Sequence, residues 1–317
     1  MSVRPRVVFL STVIFVLSAT LMQSRQQPAA NWTREQIMNA VAPVRAGRKL
    51  TPPQWPNGAR VAVSLNFDVD NETLTLSSGS VAPVDLSAGE FGATQGLPRV
   101  LELLDRHQVP ASFFIPAVSA MLHPEMIPEI KKRTRHEIGV HGWIHENYQS
   151  INNAAEEERL MKQAIDYMTE AIGKRPAGFR APSWAFSPFT PALVKKAGFL
   201  YDSSLMSMDE PYELVIDGKP SGLLELPVEW ILDDYPYFTR TGALPSPELI
   251  FKVYKDEFDA AYEQRSMMIL TMHPQAIGHR SRITHLDKLI AYMKSKPGVW
   301  FATTEQIANY IRGVSKL

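Results

Sequence analysis

The 317-residue chain contains no cysteine, and that absence removes several chemistries at once. Disulfide scaffolds, thiol nucleophiles, iron–sulfur clusters and Cys-ligated zinc are excluded, so any metal must be held by His and carboxylate. Lipid attachment through cysteine is excluded as well. A charge of one sign is equally lacking: 33 basic side chains face 33 acidic ones. A general binder of nucleic acid or of anionic membrane carries a basic excess, so no nucleic-acid partner is expected. Low-complexity blocks and long internal repeats are absent, and the aromatic content and mixed charge argue against disorder. What remains is a chain long enough to bury a core without staples, of a size that suits an α/β barrel of ~250 residues.

Only one long apolar run exists. Arg4 and Arg6 precede Val7 to Met22, which is followed by the polar stretch Gln23–Gln27. A positive start and an apolar run short of the ~20 residues of a membrane span read as a signal peptide over 1–22, with an uncleaved signal anchor as the alternative. Either way the body is expected to be exported, periplasmic or extracellular, with membrane anchoring through this segment only. Residues 23–58, rich in Pro and Gln around a short amphipathic piece at Glu35–Val41, read as a linker and lead-in.

From residue 59 to 314 short β-type runs alternate with helical patterns. Strands are expected at Val61–Phe67, Ala111–Ile115, Glu137–His141, Gly178–Ala181, Leu223–Val228, Met267–Met272 and Val299–Ala302. Helices are expected between them. Ala154–Ile172, for example, spaces Leu160, Met161, Ala164, Ile165, Met168 and Ile172 at helical intervals and stops at Gly173. Sustained strand–helix alternation predicts an α/β fold with a parallel sheet, a single-domain, closed or nearly closed seven-stranded (β/α) barrel. In such barrels chemistry sits at the carboxyl ends of the strands.

Polar clusters fall at those ends. The first strand runs into Asn66-Phe67-Asp68-Val69-Asp70, and alternation puts Asp68 and Asp70 on one face. Two such carboxylates repel unless a cation or base stands between them, although strand-end aspartates are commonly caps or turn residues. The third strand runs into His141-Gly142-Trp143-Ile144-His145. An i, i+4 spacing stacks both imidazoles on one side if the chain turns helically there. Gly142 stands where a His-Glu-x-x-His protease needs its glutamate, which removes that reading. Two imidazoles and one carboxylate make a three-ligand set with open positions; it suits zinc, with cobalt, nickel, iron or manganese also open. Arg180, at the end of the fourth strand, can hold a carboxylate ionised and oriented. His273, after Met267–Met272, is placed to donate a proton to a leaving group. Trp143, Trp184, Trp230 and Asp233 are candidate substrate contacts, the last two in a loop that continues Asp234-Tyr235-Pro236-Tyr237.

The ordered set Phe-Asp-x-Asp, His-x-x-x-His, Arg-x-Pro and Met-His-Pro resembles the polysaccharide deacetylases of carbohydrate esterase family 4, the NodB homology domain. The likeness is nearest to the branch of peptidoglycan-deacetylase-like, allantoinase-like and cyclic-imide-hydrolase-like proteins. Gly96-Leu97-Pro98-Arg99, Tyr201-Asp202-Ser203-Ser204 and Glu229-Trp230-Ile231-Leu232-Asp233-Asp234-Tyr235-Pro236 also point there. The resemblance implies Asp68 as general base, Asp70, His141 and His145 as metal ligands, His273 as general acid and Arg180 as the partner that orients the base. Val69 separates aspartates that are adjacent in the usual motif, and Gly-Trp replaces the usual Ser after the first His. For the carboxylate and tryptophan partners of the acid, Asp202 and Trp230 are the candidates. The expected function is metal-dependent hydrolysis of an amide bond, N-deacetylation of an acetylated cell-envelope carbohydrate. Hydrolysis of a small cyclic amide, imide or ureide is one alternative and a catalytically inactive glycan binder is another. An iron(II) oxygenase with a facial triad is opposed by the strand–helix alternation.

Overall fold

A computed structural model describes residues 29–239, 245–315 and 317, so the expected signal segment lies outside the described residues. The described residues divide into two units, one ending at Ala40 and the other spanning Val41–Leu317. Thr33, in the first, starts the helix Arg34–Val41 with a reciprocal cap: its hydroxyl accepts from Gln36 N at 3.2 Å, and Gln36 Oε1 accepts from Thr33 N at 2.7 Å.

The second unit is built on ten strands: β1 (Arg45–Lys49), β2 (Val61–Asp68), β3 (Ser112–Ile115), β4 (Glu137–Val140), β5 (Gly178–Phe179), β6 (Tyr201–Asp202), β7 (Tyr212–Ile216), β8 (Lys219–Glu225), β9 (Met267–Met272) and β10 (Val299–Phe301). They form one curled sheet in the order β1-β7-β8-β6-β5-β4-β3-β2, with β9 and β10 both paired to β2. From β8 through β6, β5, β4 and β3 to β2, and on to β9 and β10, every pairing is parallel. The α/β architecture with a mostly parallel, curled sheet agrees with the expected closed or nearly closed seven-stranded barrel, but among the described residues the sheet has ten strands and is open. Where closure would occur, an isolated bridge from Asp233 to Thr271 joins the segment after β8 to β9.

The three additional strands have identifiable causes. β7 and β8 form an antiparallel hairpin turning at Asp217 (φ 49°) and Gly218 (φ 74°), the Asp-Gly pair that a tight primed turn demands. β1 joins β7 antiparallel, so residues 45–49 of the expected lead-in belong to the sheet. Trp55 is buried in the same unit, donating through Nε1 to Arg265 O at 3.2 Å. β6 is too short to show any alternation.

β2 is buried along its whole length, yet it keeps a period of two. Val61, Val63, Leu65, Phe67 and Val69 join the large apolar cluster formed with the surrounding helices. Ser64, Asn66, Asp68 and Asp70 occupy the opposite face and are also buried. At the other end, the helix Thr304–Ser315 packs Ile307, Ala308 and Ile311 with Ala62, Phe114, Tyr201 and Leu224 in a second cluster. Its first backbone N–H groups reach Ser112 Oγ and Glu137 Oε2, both at 2.8 Å. These residues open β3 and β4, so this helix covers the amino ends of the strands and leaves the carboxyl ends to the site.

Candidate active site

Asp68 and Asp70 leave the end of β2 with side chains on the same face, as the period of two requires. Both are buried. Asp68 Oδ1 accepts from Arg180 Nη1 at 2.8 Å. Arg180 is itself wholly buried, and its other hydrogen bonds hold it in place: Nη2 donates to Asn66 Oδ1 at 2.7 Å and to Ser203 Oγ at 2.8 Å, and Nε donates to Ser203 O at 2.9 Å. Its guanidinium also lies 4.2 Å from the centre of the Phe114 ring. Such a clamp fixes one carboxylate oxygen and leaves the other free for chemistry.

His141 and His145 are brought together by a loop rather than by a helical turn. Gly142 (φ 75°) and His145 (φ 63°) both take left-handed backbone, and the Glu146 carboxylate gathers Trp143 N at 3.0 Å and Ile144 N at 2.8 Å. A Cβ at position 142 would lie 2.8 Å from Pro182 Cγ and 3.1 Å from Glu146 Oε2, so glycine is needed for space as well as for φ. The two rings meet edge to face at 5.2 Å. His141 Nδ1 donates to Arg180 O at 2.8 Å, which fixes its tautomer and turns Nε2 toward Asp70.

His141 Nε2 lies 3.5 Å from Asp70 Oδ1, and His145 Nε2 lies 3.6 Å from Asp70 Oδ2. Two ligands of a tetrahedral ion at ~2.1 Å stand about 3.4 Å apart, so the three side chains fit one cation. Asp70 Oδ1 is buried and has no hydrogen-bond partner among the described residues, a vacancy in hydrogen bonding that a cation would satisfy. Burial works to raise the Asp70 carboxyl, but His145, His273 and His141 outweigh it and hold it below its ordinary value. Burial pushes the His145 imidazole down to about 4 despite the pull of Asp70, with His141 and His273 adding to the fall. An ionised carboxylate beside a neutral imidazole is the state a ligand set needs.

His273 faces the same carboxylate from another side, its Nε2 3.6 Å from Asp70 Oδ2. Its Nδ1 is 2.7 Å from Asp234 Oδ1 and 3.5 Å from Asp233 Oδ1, and its backbone N donates to Asp234 Oδ1 at 3.0 Å. Burial works to lower this imidazole, but the charge of Asp233 and the hydrogen bond and charge of Asp234 carry it well above its ordinary value. Burial in turn pushes Asp233 up to about 7, against His273 and with Asp234. Asp234 is therefore the carboxylate partner of His273. Asp202, the sequence-based candidate, lies on β6 and accepts from Ser204 Oγ at 3.1 Å instead. Trp230 does not pair with His273 either.

A cavity of about 250 Å³ opens over this cluster, lined by Asp68, Asp70, His141, His145, Asp233 and His273 together with Leu74, Ser183, Trp184, Trp230 and Tyr235. Trp184 and Trp230 form one wall with ring centres 4.3 Å apart. Trp143, expected to touch substrate, does not line it; this ring packs edge to face on Tyr167 at 6.1 Å, over a separate surface depression. Leu74 and Ser183 were missed by sequence reasoning, whereas Tyr235 lies in the loop after Trp230 that the sequence offered as a substrate wall. Asp234 belongs to the same loop, but its pairing with His273 was not foreseen.

A family model described as polysaccharide deacetylase matches residues 84–201. A peptidoglycan deacetylase from Helicobacter pylori is 30 % identical over 281 residues, spanning 78 % of this chain and 95 % of that protein. Among solved structures, one from Mycobacterium smegmatis assigned to the polysaccharide deacetylases superposes with a TM-score of 0.78 at 35 % identity, covering 86 % of this chain and 96 % of the other. The structure of the allantoinase PuuE superposes with a TM-score of 0.76 at 28 % identity, covering 86 % and 99 %.

Proposed function

The chain belongs to the polysaccharide deacetylase family, hydrolases of non-peptide carbon–nitrogen bonds, and from that premise we propose that it N-deacetylates a cell-envelope carbohydrate. The observation that carries this reading is the Asp70 carboxylate, its Oδ1 unsatisfied, set between the His141 and His145 imidazoles, with Asp68 and His273 beside it.

Amide hydrolysis needs a nucleophile, a polarised carbonyl and a protonated leaving group. Asp70, His141 and His145 would hold a divalent cation, zinc by the ligand types, which would supply Lewis acidity and lower the pKa of water toward ~7. Asp68 is the base: Arg180 occupies its Oδ1, and Oδ2 takes a proton during attack. His273 is the acid, holding a proton at Nε2 while Asp234 fixes Nδ1, and it passes that proton to the departing amine. Trp184, Trp230 and Tyr235 present apolar faces on which a pyranose ring can lie. Among the described residues lining the cavity there is no Lys or Arg, which suits an uncharged sugar. Export belongs to the same proposal and is supported by the pattern of residues 4–22.

Acetate release from N-acetylated glycans, measured alongside metal content, tests the reading. Asp68→Asn keeps the metal and loses about 10²–10⁴-fold in turnover. His141→Ala loses metal and activity together, and full metal content in that variant would reject the ligand set. A second reading, hydrolysis of a small cyclic amide or ureide, is favoured by the likeness to an allantoinase. Ring opening of imides or ureides with no acetate released from glycans would select it.

A further inference from the structure

Behind the site, Asp202 on β6 and Glu225 on β8 are register partners on adjacent parallel strands, and both are fully buried. Glu225 Oε1 accepts from Ser204 N and Leu205 N, both at 2.9 Å. Asp202 Oδ2 accepts from Ser204 Oγ at 3.1 Å. Asp202 Oδ1 and Glu225 Oε2 have no donor among the described residues. Two buried carboxylates this close cannot both be ionised, and one proton between the two unsatisfied oxygens would pair both.

The segment these carboxyls hold is the one that grips Arg180. Ser203 supplies its carbonyl and its hydroxyl to the guanidinium, and Ser204 Oγ accepts from Ala181 N at 2.9 Å. We infer that Asp202 and Glu225 are positioning residues, a carboxyl–carboxylate pair sharing one proton that pins Ser203–Leu205 and thereby holds Arg180 against Asp68. The inference rests on the proposed role of Asp68 as base.

Two other titratable groups face the pair. Arg180, from the end of β5, pulls Asp202 down, and Tyr212, from β7, lies near Glu225 with its hydroxyl accepting from Ser207 N at 3.2 Å. Burial nevertheless dominates, pushing Asp202 up to about 7 and Glu225 well above its ordinary value. The folded chain therefore keeps a proton that the unfolded chain releases above about pH 4. Since the folded state binds more protons, stability falls as pH rises from about 4 toward 7. Loss of the proton sets two like charges against each other and loosens the grip on Arg180.

The test compares wild type with Glu225→Gln and Glu225→Ala. Gln supplies a permanent donor toward Asp202, and Ala supplies none. Part of the protonated-carboxyl stretch in the infrared spectrum of the wild type at pH 6 should vanish in Glu225→Gln. The Tm of Glu225→Gln relative to wild type should rise between pH 5 and pH 8. Glu225→Ala should lower kcat about tenfold or more, with KM and metal content kept, and Glu225→Gln should restore most of it. An unchanged carboxyl stretch, or equal kcat in the two variants, overturns the inference. If no variant releases acetate, the functional reading fails, and the infrared and melting differences still decide the shared proton.

Discussion

His273 can act as an acid only while its second ring nitrogen is held, and the holder is Asp234. Replacing it with Asn leaves the shape and removes the charge that keeps the imidazole protonated. Asp234→Asn should lower kcat by about 10²-fold or more with metal content unchanged; loss of metal in this variant would instead make Asp234 part of the ligand set. Six residues singled out in the sequence, Asp68, Asp70, His141, His145, Arg180 and His273, do converge. They were legible because strand-end position and side-chain chemistry are local properties. Asp234 was not, because its claim on His273 crosses 39 residues, and nothing near Asp202 in the chain reveals that its neighbour is Glu225. Trp143 was misplaced for a related reason: the left-handed turn at Gly142 sends this ring toward Tyr167.

Elements were read best where their own periodicity declared them. The helix Ala154–Ile172 has the bounds its pattern predicts, capped by Asn153, whose Oδ1 accepts from Ala155 N at 2.9 Å, and ended by Gly173 at φ 80°. Asn153→Ala should cost about 1 kcal/mol of stability, measurable as a lower urea midpoint with an unchanged slope. Close approaches between elements are invisible in the chain. A Cβ on Gly96 would stand 2.2 Å from Pro274 O, in the segment that follows His273. Gly96→Ala should therefore cost about 1–3 kcal/mol and also depress kcat, whereas a wild-type rate would show that the loop after His273 can move freely. The hairpin of β7 and β8 went unread although Asp217-Gly218 marks it, since Leu223–Val228 captures only the end of β8, from Leu223 to Glu225, and extends past it.

For the whole molecule, a cation that binds only the folded chain stabilises it by mass action, about 2.7 kcal/mol at a hundredfold excess over Kd. Chelation should lower Tm, and added zinc should restore it. His141→Ala should melt at one temperature with or without chelator, and a chelator-sensitive Tm in that variant would mean the stabilising ion sits elsewhere. Parallel strands alternating with helices, and carboxylates and imidazoles at the strand ends, were present in the residue order, because period and side-chain type are set by near neighbours along the chain. That the sheet stays open, with ten strands among the described residues, that Asp234 backs the acid and that Asp202 meets Glu225 were decided only by folding. Those facts depend on which distant backbones come within hydrogen-bonding reach, and burial then sets which of the assembled groups keep their charge.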